Sequence, residues 1–442
     1  MPDAVLDVLW YPLPAFVQDL LIFAGLLAPL IVVAAVLWRG FAFGPLLRAM
    51  LWRYRGTNAV FVVLIALAVG VGAALIAQER GIREGTARAA DGFDLIVAAP
   101  GSEITVLLAA VYLQPSDVAL IEGPLFSEIE SHPRVRLAAP LAYGDSWEGR
   151  VIVGTIAPFI DHLSGPLAEG RLFEIPDEGV VGARVPLALG DEITPAHGFG
   201  EAADTEGHLG TSVRIVGRMA PTGTPWDEAI LVPVEQVWIT HGLANGHAPD
   251  KPLSHIGPPY SADHFPGTPA VLVVPEELYM AFSLQSTFTR PDAMAFLPGA
   301  VLSQLLTVLG DVRAAMSALA LVTQGLVAVA VIAGLLLLTR LFARQLALLR
   351  ALGAPGRFIF GVVWSYATVL IVVGAVLGLI VAALTTGAVS SYLTAQTGIL
   401  IEARLRWPEL HLAAGFVSAA SLIALLPGWR VLRRNLTADL RG

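Results

Sequence analysis

Five stretches of about 20 residues or more lack any Asp, Glu, Lys or Arg, and they decide what this chain can fold into. They fall at about 20–38, 59–78, 317–339, 359–386 and 410–428. A helix needs about 20 mostly apolar residues to cross roughly 30 Å of hydrocarbon, so each run is long enough to span a bilayer. Composition agrees: 55% of residues are hydrophobic, 14% are charged and the mean hydropathy is +0.70, values outside the range of ordinary soluble domains. The first run is preceded by Asp3, Asp7 and Asp19 rather than by a basic segment, which predicts a retained helix and not a cleaved leader.

Arginine placement predicts the orientation. Arg39, Arg48, Arg53 and Arg55 lie between the first two runs. Arg340, Arg344, Arg350 and Arg357 follow the third, and Arg430, Arg433, Arg434 and Arg441 follow the last. Asp439 is the single acid in these three segments, so the positive-inside rule makes them cytoplasmic. Residues 79–316 hold 13 basic against 30 acidic residues and are expected outside. Both the amino-terminal segment and this region then face away from the cytoplasm, and the carboxyl terminus faces into it.

The expected fold is a membrane protein: an α-helical bundle of about five spans with an α+β extracytoplasmic domain inserted between the second and third. Its divisions are an extra N-terminal span (1–40), an amphipathic helix with a second span (41–78), the domain (79–316), and three spans with a cytoplasmic helix at 340–356 and a cytoplasmic tail (317–442). A short outer loop is expected at 387–409. Within the domain, the apolar, β-branched runs at 94–99, 150–154, 212–217, 229–234 and 270–275 are bounded by Gly, Pro and Asp, as strands are. "PSDVALIEG" at 115–123 predicts a helix with Ser116 as N-cap.

Several chemistries have no anchor in the sequence. No G-x-x-x-x-G-K-[ST] stretch is present to cradle nucleotide phosphates, and neither G-x-S-x-G nor H-E-x-x-H occurs. Cysteine is absent, which removes thiolate metal sites. The apolar runs hold essentially no ionisable side chain, whereas ion-coupled transporters keep such groups near the midplane despite a cost of at least about 2.5–3.5 kcal/mol. Energy for any transport is therefore expected from a partner chain.

"TRLFARQLALLRALGAPGRFIF" at 339–360 carries four arginines and no acid directly after the third run. Phe342, Leu346 and Leu349 fall on one helical face and Arg340 and Arg344 on another, and Gly353 is placed to end the helix. The residues alone allow two readings: a basic anchor that fixes topology and touches anionic lipid, or a docking helix for a cytoplasmic partner. "RQLALLRALGA" (344–354) resembles the R-x-x-E-x-x-L-L-R-A-L-G-A helix of the FtsX-like/MacB-type permeases of ABC transporters. Three further stretches are similar to that family: 45–76, the tail "PGWRVLRRNLTADLR" at 427–441, and "GRLFEIPDEGVVGARVPLALGDEI" at 170–193. Together the likeness covers roughly residues 42–442.

The resemblance implies a bacterial inner-membrane permease without a catalytic residue or cofactor of its own. Two copies would pair with two cytoplasmic ATPase subunits, which bind ATP and Mg and drive motion of the outer domain; nucleic acid is not an expected partner. By position, Arg340, Arg344, Gln345, Leu348, Leu349, Arg350, Leu352 and Gly353 would meet the ATPase. Gln345 stands where the family commonly has an acid, so that contact would be a neutral hydrogen bond, weaker by about 1 kcal/mol than a charge-assisted one. The extra N-terminal span is a second departure.

Two places in the domain could meet a substrate. Six histidines, His197, His208, His241, His247, His255 and His264, lie at about 195–266 with Asp250 among them, in a Gly- and Pro-rich stretch that reads as a poorly structured loop. Imidazole and carboxylate suit zinc or another transition metal, although the spacings match no closed site. The alternative is a solvated polar loop. "DLIVAAPGSEITVLLAAVYLQP" at 94–115 reads either as a core strand and helix or as a hydrophobic groove for a lipid, lipopeptide or haem-like ligand. In the second case Ser102, Glu103, Ile104, Leu107 and Tyr112 would line it. Two functions follow from the whole: an ATP-driven permease that extrudes or extracts such a substrate, or a mechanotransmitter that regulates an extracytoplasmic partner such as a cell-wall hydrolase.

Overall fold

The computed structural model describes residues 12–114, 116–198, 211–308 and 343–426, with isolated positions between 310 and 334. It divides into two compact units, one of residues 1–81, 311–390 and 402–442 and one of 82–310 and 391–401. In chain order the helices are α1 (Ala15–Trp38), α2 (Gly44–Arg53), α3 (Arg55–Ala90), α4 (Glu103–Ala110), α5 (Gly123–Glu130), α6 (Ala157–Ser164), α7 (Val234–Thr240), α8 (Met280–Phe288), α9 (Pro298–Val308), α10 (Ala343–Ala351), α11 (Gly356–Thr397) and α12 (Trp407–Ile423). Three of them, α1, α3 and α11, are long and apolar enough to cross a membrane. The run expected at 317–339 lies outside the described residues apart from isolated positions, and α12 is the described part of the run at 410–428.

In the first unit, small residues let α3 and α11 approach closely. A Cβ on Gly70 would lie 3.0 Å from the Gly378 carbonyl oxygen, and one on Gly378 would lie 2.7 Å from that of Ala66. Gly374 and Gly378 form a G-x-x-x-G pair, the spacing that brings helices together where lipid supplies no hydrophobic drive. The N-terminal helix α1 is fixed to α12: Ser418 Oγ donates to the Leu26 carbonyl, His411 Nε2 lies 2.9 Å from the Asp19 carbonyl, and Trp407 meets Phe16 and Phe23 edge-on. Trp38 at the other end of α1 donates to Ser365 Oγ of α11 at 2.8 Å. Arg80 reaches the fully buried Glu409 of α12 with both guanidinium nitrogens, at 2.9 and 3.1 Å. Breaking a buried pair from one side costs roughly 3–5 kcal/mol, so this bond is a strong local constraint.

The second unit is α+β. A four-stranded sheet runs in the order β12 (Met294–Phe296), β1 (Leu95–Ala98), β11 (Val271–Pro275), β2 (Val135–Pro140). The central strands β1 and β11 are buried at every position, which fits their unbroken apolar sequences. The larger sheet runs β5 (Glu169–Gly170), β9 (Val213–Arg218), β6 (Glu178–Val181), β10 (Ile230–Pro233), β4 (Arg150–Thr155), β3 (Asp145–Trp147), β8 (Ala196–His197), and β7 (Glu192–Ile193) pairs with β9. All five expected strands form. The expected helix at 115–123 does not: Ile121 exchanges backbone hydrogen bonds with Thr268, Ser116 Oγ donates to the Gln114 carbonyl, and the helix starts instead at Gly123 with Pro124 in its first turn. The expected outer loop is partly helix, since α11 continues to Thr397. Residues 391–401 belong to the domain: the Leu400 amide donates to the Gly223 carbonyl, Arg184 donates to the Gly398 carbonyl, and Ile399 packs on the core.

Candidate functional site

Three side chains from three elements converge at one edge of the larger sheet. β3 and β8 pair antiparallel with Asp145 directly opposite His197, so register alone puts both side chains on the same face. The Gly198 amide bond to the Gly144 carbonyl and the Ser146 hydroxyl bond to the Gly198 carbonyl hold that register. The third member, His241, is the residue that ends α7. Its ring occupies the space beside Gly144, where a Cβ would lie 2.7 Å from Cε1 and 2.8 Å from Nε2. Glycine at 144 is thus what admits the imidazole.

The geometry of the three is tight. Asp145 Oδ1 lies 3.3 Å from His241 Nε2 and 3.7 Å from His197 Nδ1, and the two nitrogens are 3.3 Å apart. His241 Nδ1 lies 2.7 Å from the Val237 carbonyl oxygen, which can only accept, so Nδ1 carries a hydrogen and Nε2 of the neutral ring is a lone pair. Asp145 is buried, whereas His197 is 61% exposed on its side chain, so the group is anchored inside and open outside. The hydrogen-bonded Asp145 carboxylate raises the pKa of His241, partial burial opposes this, and the Val237 carbonyl raises it further. A cleft of about 360 Å³ lies alongside, with His241, Val237, Trp238, Leu141 and Tyr143 in its wall.

A second histidine–carboxylate group lies deeper in the same domain. Glu235 Oε1 accepts from the Gly257 amide at 2.6 Å and from the Tyr260 hydroxyl at 3.0 Å, with His247 Nε2 at 3.3 Å. Side chains of Glu235 and His247 are both 1% exposed. Around them Phe126 stacks on Phe265 at 4.5 Å, and Trp238 and Tyr260 meet edge-on. The stretch 241–265 is irregular, as its Gly and Pro content predicts, with Gly246, His247, Tyr260 and Phe265 buried and residues 242–244 and 249–254 exposed.

Of the seven residues in the metal reading, the structure brings His197 and His241 together with Asp145. His247 joins Glu235, with the His255 ring 4.6 Å from its own. His264 Nδ1 lies 3.0 Å from Ser261 Oγ, Asp250 is exposed, and His208 lies outside the described residues. Asp145 carries no signal in the sequence, because its meeting with His197 depends on the β3–β8 pairing and its meeting with His241 on where α7 ends.

The groove residues do not share one surface. Ser102 caps α4 by accepting from the Thr105 amide, and Ser102, Glu103 and Ile104 are exposed there. Leu107 is fully buried and Tyr112 nearly so, its hydroxyl donating to the Thr86 carbonyl.

α10 covers the described part of the basic segment. It ends in a Schellman motif: the Ala354 amide donates to Leu349, the Gly353 amide donates to Arg350, and Gly353 has φ +95°. Leu349 packs among Phe43, Leu47 and Phe358, while Gln345 and Leu348 are exposed and Leu352 is 85% exposed. Arg350 is half-buried, Arg340 lies outside the described residues, and the side chain of Arg344 is not among those described.

No family model matches the chain, and no curated protein matches it. Among solved structures, it is similar to the periplasmic region of MacB from Actinobacillus actinomycetemcomitans, at 10% identity over 48% of this chain and 94% of that one, with a TM-score of 0.30.

Proposed function

We propose that this chain is the permease subunit of an ATP-driven transporter of the ABC type, set in the bacterial inner membrane and working with a separate cytoplasmic ATPase. The observation that carries the reading is α10. A short helix in an arginine-rich, acid-free segment packs Leu349 inward and leaves Leu348 and Leu352 in the open, immediately before the long apolar helix α11. Exposed leucines beside arginines suit a protein partner better than water. Gly353 and Pro355 turn the chain directly into α11, whose outer residues 391–397 are built into the domain. A push on α10 then has a continuous helix to travel along.

On this reading hydrolysis belongs to the partner, in keeping with the lack of a G-x-x-x-x-G-K-[ST] stretch in the sequence, and the pairing expected by resemblance is two permeases with two ATPases. The domain extrudes or extracts a hydrophobic or metal-related substrate. The test is ATP hydrolysis in detergent-solubilised membranes: a vanadate-sensitive ATPase co-purifies with the chain and is lost from Leu352→Asp and Leu348→Asp variants that still insert. An ATPase that never co-purifies, or that stays with both variants, contradicts the proposal. Stimulation of the complex by a ligand, with no extracytoplasmic protein bound, separates transport from regulation of an outside enzyme.

A further inference from the structure

We infer that Asp145, His197 and His241 form a binding site for a zinc-class divalent transition metal on the α+β domain. With bonds of about 2.0–2.1 Å, neighbouring donors of a tetrahedral zinc site are about 3.3–3.4 Å apart, and those of an octahedral site about 2.8–3.0 Å. The three donor atoms here are separated by 3.3, 3.3 and 3.7 Å, close to one face of the tetrahedron. All three ligand atoms lie within 4.8 Å of one another, the only such group of three among the described residues.

The surroundings are those of a metal ligand set. The hydrogen bond from His241 Nδ1 to the Val237 carbonyl engages that nitrogen and leaves Nε2, 3.3 Å from Asp145 Oδ1, as the ring's ligand atom, the arrangement metal-bound histidines use. Asp145 supplies a buried negative charge on the same centre. Exposed His197 gives an ion a way in from solvent, and the cleft beside His241 leaves room for a water or an incoming donor at the fourth position.

The site goes beyond the permease reading and does not rest on it, because binding is measured on the chain without any ATPase. The full chain, purified in detergent and stripped with a chelator, is titrated with zinc chloride against a competing indicator. The expected result is about one zinc per chain, with affinity lowered at least about 100-fold in both His197→Ala and His241→Ala. His197 is exposed at a strand end, so its variant keeps the fold if the domain stays protease-resistant. His255→Ala, outside the cluster, changes affinity by less than about threefold. Wild-type binding weaker than about 1 mM overturns the site. So does zinc binding that His255→Ala removes and His197→Ala retains.

Discussion

The two histidine–carboxylate groups of the domain use the same residue types in opposite ways. Around Glu235, one carboxylate oxygen faces an amide, a phenol hydroxyl and an imidazole, so donors meet the acceptor and the group can be buried at 1% exposure. Around Asp145, a carboxylate lies 3.3 and 3.7 Å from two imidazole nitrogens, and the group keeps an open side. The first arrangement gives Glu235 Oε1 three partners, leaves Oε2 buried without a hydrogen bond, and ties α7 to Gly257 and Tyr260 of the irregular stretch 241–265. The second leaves one histidine exposed and has a cleft beside the other. Residue type alone is therefore a poor guide to a metal site, and access from solvent is a better one.

Removing the Glu235 carboxylate has the largest effect. Glu235→Ala leaves the Tyr260 hydroxyl and the Gly257 amide without their acceptor and should destabilise the domain by about 3–5 kcal/mol, read from tryptophan fluorescence during denaturation of the full chain. His197→Ala should stay within about 0.5 kcal/mol in the same measurement. Equal losses from both variants would break the distinction between the groups.

Zinc sharpens it further. At 100 times the dissociation constant, a metal that binds only the folded chain should add about 2.7 kcal/mol of stability, absent in His241→Ala and preserved in His255→Ala. Gly144→Ala probes the same centre through packing alone. Its Cβ would press on the His241 ring at 2.7–2.8 Å, so zinc affinity should fall roughly tenfold with a stability loss of about 1 kcal/mol. An unchanged affinity would mean that the ring position is irrelevant to binding. The smallest effect on stability belongs to Leu352→Asp on α10, within about 0.5 kcal/mol, because the side chain is 85% exposed.

What could be read from sequence follows the range of the interactions involved. The strands β1, β4, β9, β10 and β11 are legible because an apolar, β-branched run between turn residues is a local signal. The end of α10 at Gly353 is equally local, a left-handed residue closing a helix. The helix expected at 115–123 fails because its backbone at Ile121 is claimed by Thr268, a partner no window around Ser116 contains. Gly374 and Gly378 form a helix-contact spacing that stands in plain view but gains meaning only opposite Gly70. The candidate site was half legible. His197 and His241 stand out as part of a histidine-rich stretch, yet their selection over His247 and His255, and the addition of Asp145, depend on the register of β3 with β8 and on the end of α7 beside Gly144. The inward placement of Leu349 follows the helical face read from its spacing, whereas the exposure of Leu348 and Leu352 is seen only once α10 is packed.

The most direct measurement is X-ray absorption at the zinc edge of the stoichiometrically loaded full chain. The Asp145 centre predicts a tetrahedral first shell of nitrogen and oxygen at about 2.0–2.1 Å, with outer-shell scattering from two imidazoles, one of which disappears in His197→Ala. A first shell of oxygen alone, or an imidazole count unchanged by His197→Ala, would contradict it.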